Sequence, residues 1–115
     1  MAAFKVKLVI DQGSTFRKRL TWKAGTVPVD LTGCTARMQI RSEVASPDVL
    51  ASLTTENGGI TLGGVAGTID LYISSVATTL FTWEEGVYDI EFVMGNGDVA
   101  RKIVGTVKVS LEVTR

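Results

Sequence analysis

Residues 86–98 read Gly-Val-Tyr-Asp-Ile-Glu-Phe-Val-Met-Gly-Asn-Gly-Asp. Tyr88, Ile90, Phe92 and Met94 alternate with Asp89, Glu91 and Val93. A period of two places the apolar set on one face of a strand and the acids on the other. Gly95-Asn96-Gly97-Asp98 then breaks the run and reads as a hairpin turn.

The same period recurs on both sides of this stretch. Ile103, Val107, Val109, Leu111 and Val113 alternate with Lys108, Ser110, Glu112 and Thr114. Cys34, Ala36, Met38 and Ile40 alternate with Thr35, Arg37, Gln39 and Arg41, and Ile69, Leu71 and Ile73 with Thr68, Asp70 and Tyr72. Phe4, Val6, Leu8 and Ile10 form a further apolar set. Phe16, Leu20 and Trp22 form another, with Lys18 as the misfit on its apolar side. Residues 49–55 are a weaker strand candidate. Turn residues separate the runs at Asp11-Gln12-Gly13, Lys23-Ala24-Gly25 and Asn57-Gly58-Gly59, and Pro28 and Pro47 fall in connections. Ser74–Phe81 departs from the period: an N-cap serine with apolar residues at 76, 80 and 81 predicts a short helix near residues 75–81. Seven or eight evenly spaced strands predict an all-β, antiparallel β-sandwich, with residues 1–115 as one domain.

Composition narrows the chemistry. The 115 residues include no histidine and a single cysteine, Cys34. There is no imidazole for general-base catalysis or metal ligation, and no intramolecular disulfide. Cys34 is expected to be a buried structural thiol. Asp89 and Glu91 share a strand face, as a glycosidase pair would, but that face is the solvated one. No phosphate-binding or calcium-loop motif is present. These residues predict no enzyme, cofactor or metal site. No apolar run reaches the length of a membrane span, and the N-terminus lacks the signature of a signal peptide. Synthesis and folding in the cytoplasm, without membrane contact, is the expectation.

The formal net charge of zero hides a segregation. Residues 1–42 carry eight Lys/Arg against two acids, residues 43–100 carry nine acids and no base, and residues 101–115 carry four bases against one acid. Interleaving in the fold would cancel these blocks. Segregation would leave a dipolar surface suited to contact between copies. Strand order decides between them, with cancellation the weightier. Arg17, Arg19, Arg37 and Arg41 on polar strand faces, and Glu84-Glu85 in a turn, are the candidate interaction residues. The Arg17-Lys18-Arg19 run with Trp22 does not make a nucleic-acid site, because its charges point to opposite faces. Trp83, beside a turn, is either an exposed ligand-binding ring, as in a carbohydrate-binding module, or a core plug at one end of the sandwich, the weightier reading.

The order of segments resembles the immunoglobulin-like N-terminal domain of phage baseplate upper proteins. The stretches that carry the resemblance are Asp11-Gln-Gly-Ser-Thr-Phe16, Leu20-Thr-Trp-Lys23, Val29-Asp-Leu-Thr-Gly33 and Thr35-Ala-Arg-Met-Gln-Ile-Arg41. Leu53-Thr-Thr-Glu-Asn-Gly58, Ile60-Thr-Leu62 and Gly67-Thr-Ile-Asp-Leu71 follow, then Gly86-Val-Tyr-Asp-Ile-Glu-Phe92, Asn96-Gly-Asp-Val99 and Gly105-Thr-Val-Lys-Val109. The resemblance implies an immunoglobulin-like sandwich and a structural role in the virion, with other virion proteins and copies of the chain as partners. It also suggests that Tyr88 bonds backbone in the manner of a tyrosine corner. In that family the domain is followed by receptor-binding segments, whereas this sequence runs to Arg115. Tail or baseplate is nonetheless the first expectation for location, and capsid decoration, head fibre or collar the alternative.

Overall fold

Strand β10 (Glu85–Val93) is central to the larger sheet because both neighbours pair with it along most of its length. It runs antiparallel to β6 (Thr35–Arg41) on one side and to β11 (Val99–Ser110) on the other. The computed structural model describes residues 4–114; residues 1–3 and Arg115, part of the expected domain, lie outside the described residues. The remaining elements are β1 (Phe4–Lys5), β2 (Leu8–Asp11), β3 (Phe16–Thr21), β4 (Lys23–Ala24), β5 (Val27–Pro28), β7 (Ala51–Thr54), β8 (Ile60–Leu62), β9 (Thr68–Ile73) and α1 (Ser75–Thr79).

The strands form two packed sheets. One has the order β1-β11-β10-β6-β7, with β2 also on β11; the other has the order β3-β9-β8; β4 and β5 make a separate small hairpin. All pairings are antiparallel except those of β1 and β2 with β11, which are parallel and share one register. This is an immunoglobulin-like arrangement: a sheet equivalent to G, F, C and C′ faces one equivalent to B, E and D. The core lies between the sheets. Ile90, Phe92, Ile40, Met38 and Ile10 from the larger sheet meet Ile69, Leu71 and Ile60 from the smaller, all fully buried. Each such side chain contributes about 1.5–3 kcal/mol relative to exposure. Trp22, at the end of β3, packs across the sandwich on Phe92 with ring centroids 5.2 Å apart.

Local chemistry explains the connections. Asp30 accepts a hydrogen bond from the Thr32 amide at 2.9 Å, closing the turn into β6, and the hydrogen bonds from Thr32 hold its carboxyl below the usual carboxylate range. Ser74 caps α1 by accepting from the Ala77 amide. The β10–β11 hairpin closes through Met94 and Asp98, with Gly97 at φ 94°.

Several expectations are corrected. The helix spans Ser75–Thr79 with Leu80 as its C-cap; of the apolar residues that suggested it, Phe81 is buried but Val76 and Leu80 are 75% and 74% exposed. Its buried residue is Thr78, whose hydroxyl donates to the Ser14 carbonyl and accepts from the Gly13 amide. It serves the β2–β3 connection rather than an apolar face. Leu111 and Val113 are exposed because β11 ends at Ser110, and Phe4 is exposed at the sheet edge. Cys34 is half-buried rather than fully buried, with its Sγ 3.9 Å from the Met94 sulfur. The register between β10 and β11 shifts beside Ile90 and Glu91, leaving Lys102 as an extra residue. This bulge keeps both Ile103 and Arg101 on their proper faces.

A tyrosine reinforces the N-terminal strand where its pairing with β11 is interrupted. β1 and β2 are one strand interrupted at Val6 and Lys7. There the Val6 amide donates to the Val104 carbonyl at 2.9 Å. The Val6 carbonyl instead accepts a 2.7 Å hydrogen bond from the Tyr88 hydroxyl. Gly105 makes the approach possible, since a Cβ at that position would collide with the Val6 carbonyl. The expected backbone bond of Tyr88 therefore exists. It reaches 82 positions along the chain rather than to a nearby upstream residue.

Burial pushes the Tyr88 hydroxyl up to about 12. A tyrosine in the unfolded chain ionises near pH 10. The stabilisation from keeping Tyr88 protonated is therefore complete below pH ~10 and lost as pH rises toward about 12. Urea unfolding across this range is expected to show stability falling in that window, with less of a fall in Tyr88→Phe. Identical alkaline profiles for the two proteins would contradict the assignment.

Candidate functional site

The two outer faces of the sandwich carry most of the residues singled out in the sequence. On the smaller sheet, the register sets Arg17 opposite Tyr72 and Arg19 opposite Asp70. Arg19 makes two hydrogen bonds to Asp70, at 2.7 and 3.0 Å. The hydrogen-bonded guanidinium holds the Asp70 carboxyl below its usual range, and Arg19 is raised in return. Arg17 lies over the Tyr72 ring, 4.8 Å from its centroid, as a cation–π pair.

On the larger sheet, Glu91 sits between Arg37 and Arg101 in the strand register. Arg37 pairs with Glu91 at 2.8 Å and Arg101 with Asp89 at 3.9 Å. The next cross-strand row runs from Lys5 through Val104 and Asp89 to Gln39. The row after that places Val87 between Thr106 and Arg41. Arg41 donates to the Ser46 carbonyl and to Gln39, both at 2.8 Å, and meets no carboxylate among the described residues. Together these rows floor a groove of about 810 Å3, walled by Lys5 and Lys7 on one side and by Val44 on the other.

The charge blocks therefore interleave. All three ion pairs among the described residues join a base from an outer block to an acid of the central block. The Asp89 and Glu91 carboxylates that resemble a catalytic pair are each engaged by an arginine. Exposed pairs of this kind contribute little to stability. Their effect is to neutralise the acids on the sheet faces and to leave particular cations uncompensated.

The seven candidate residues do not form one surface. Arg17 and Arg19 lie on one outer face, Arg37 and Arg41 on the opposite one, and Glu84, Glu85 and Trp83 at one end. Glu84 and Glu85 are exposed. Trp83 is half-buried and stacks on Phe81 with centroids 5.0 Å apart, so it closes the end of the sandwich. The reading of Trp83 as a core plug describes this contact. Trp22 is buried, and its indole N–H has no hydrogen-bond partner among the described residues.

Two features escaped the sequence reading. Gln12 bridges the same end: its side chain donates to the Phe81 carbonyl and accepts from the Glu112 amide, both at 2.7 Å. It ties the β2–β3 turn to the chain entering β10 and to the segment leaving β11. Nothing in the pattern marks a turn glutamine as such a clamp. The second feature is an open seam. β3 is an edge strand, because β1 and β2 pair with β11 rather than with it. A cleft of about 310 Å3 between β2 and β3 is lined by Leu8, Phe16 and Lys18, among others. Lys18 occupies an inward-facing position and is nonetheless exposed, because no strand covers the seam. A charge pointing inward on an edge strand opposes pairing with a second edge. This is the physical role of the misfit in the alternating pattern.

Lys18→Val removes that guard and makes the edge from Phe16 to Leu20 continuously apolar on its inward side. The variant is expected to self-associate with increasing concentration in sedimentation, while the parent does so markedly less. A variant with unchanged sedimentation would contradict the guard.

No protein-family model matches the chain, and no curated protein matches it.

Proposed function

We propose that this chain is a non-enzymatic structural component of a phage particle, present in several copies and built into the tail or baseplate. The observation that carries the reading is where the resembling motifs fall. Thr35–Arg41 is β6 and Ile60–Leu62 is β8, while Gly86–Phe92 lies within β10 and Gly105–Val109 within β11. Asp11–Phe16 is the crossing from one sheet to the other. The motif set thus follows the framework of an immunoglobulin-like sandwich in order, with its turns and strands where such a domain needs them.

The surface chemistry agrees with a role in assembly. Arginines stand on both outer faces of one sandwich, and two carboxylates project at one end. Cations outside the ion pairs, Arg17 on one face and Arg41 on the other, allow contact with two neighbours at once, as repeated assemblies require. The partners in this reading are other virion proteins and further copies of the chain, and the location is the virion.

Immunogold labelling of purified particles of the phage that encodes the chain tests the reading. Label at the tail or baseplate is the expected result. Label confined to the capsid or collar would overturn the tail assignment, and unlabelled particles would overturn the structural role altogether.

A further inference from the structure

We propose that the groove on the larger sheet's outer face docks an extended acidic peptide segment of a neighbouring chain. The inference stands on the groove itself and does not depend on where the protein resides.

The groove combines an apolar floor with cations that lack a carboxylate. Val87 and Val104 supply the floor, and Val44, 88% exposed, forms an apolar lip. The two acids in the groove, Asp89 and Glu91, already have Arg101 and Arg37 as partners. Lys5 and Lys7 take part in none of the ion pairs among the described residues. Among the described residues Arg41 is positioned by neutral acceptors alone, which use two of its five N–H donors. The uncompensated charge is therefore positive on both sides of an apolar trough. That is the complement of a segment carrying carboxylates at its margins and aliphatic side chains at its centre.

The dimensions admit a short extended segment. From Lys5 on β1 to Gln39 on β6 the groove crosses three interstrand steps. At ~4.8 Å each these span about 14 Å. Four or so extended residues cover that distance at roughly 3.3 Å per residue. Alternation in such a segment turns one set of side chains toward the valines and the other toward solvent and the rim. The volume of about 810 Å3 lies within the range of ligand-binding clefts.

The test uses an octapeptide of alternating Glu and Val, capped at both ends, titrated into the protein by NMR and calorimetry. Shifts are expected at the Val87 and Val104 amides, with affinity that falls in high salt. Lys5→Ala/Lys7→Ala, both at exposed positions, is expected to weaken binding about tenfold or more, and Arg41→Gln to weaken it in the same direction. Circular dichroism of each variant confirms that it is folded. A Gln-Val peptide of the same length is not expected to bind. The proposal is overturned by any of three results: no shift at Val87 and Val104, equal affinity for the Gln-Val peptide, or undiminished binding by the lysine variant. Binding of a uronate oligosaccharide in the groove with no binding of the Glu-Val peptide would also overturn it, in favour of an anionic glycan.

Discussion

The hydrogen bond from Tyr88 to the Val6 carbonyl, made over the bare backbone of Gly105, ties the interruption of the N-terminal strand to the larger sheet, beside the parallel backbone pairing of β1 and β2 with β11. A strand running parallel to β11 must present some carbonyls inward or outward at its interruption, and a buried carbonyl without a donor is costly. Tyr88 is the donor, and its own hydroxyl is satisfied by the same contact. With β1 and β2 fixed on β11, β3 is left as an open edge. The same placement brings Lys5 and Lys7 to the rim of the groove. Both the guarded seam and the basic groove thus follow from the pairing of the N-terminal strand with β11.

Charge follows from strand order in the same way. The acidic central block supplies β9 and β10, and each of these lies beside strands from the basic blocks. Arg19 meets Asp70, Arg37 meets Glu91, and Arg101 meets Asp89. A chain with no net charge therefore has largely neutralised sheet faces and a few cations left over. Those remaining cations, rather than the totals of the blocks, define the surfaces with binding potential.

Alternation in β6 and β10 was legible because both strands have one face on the core and one in solvent. Lys18 was legible as a misfit, but its meaning required knowing that β3 is an edge. Phe4, Leu111 and Val113 continue the same alternation beyond the sandwich, where no opposite sheet covers them. Periodicity reports a potential face, and only packing makes it a buried one. The helix signals were used unequally by the fold: Ser74 caps it and Phe81 is buried, while Val76 and Leu80 are exposed and Thr78 anchors it. Gln12 and Thr78 act on partners distant in sequence, and single polar residues in turns carry no periodic signal. The groove was hidden because it joins β1, β6, β10 and β11, whose adjacency depends on topology. The candidates Arg17, Arg19, Arg37 and Arg41 were correctly placed on polar strand faces, yet their division between two opposite faces needed the strand order.

Site-resolved amide hydrogen exchange in Tyr88→Phe tests most directly whether this one contact holds the N-terminal strand. Loss of the hydroxyl is expected to speed exchange along β2 and at the Val6 amide, while the β3–β9 pairing keeps its protection. Unchanged protection of β2, or an equal loss across both sheets, would contradict the claim that Tyr88 specifically anchors this strand.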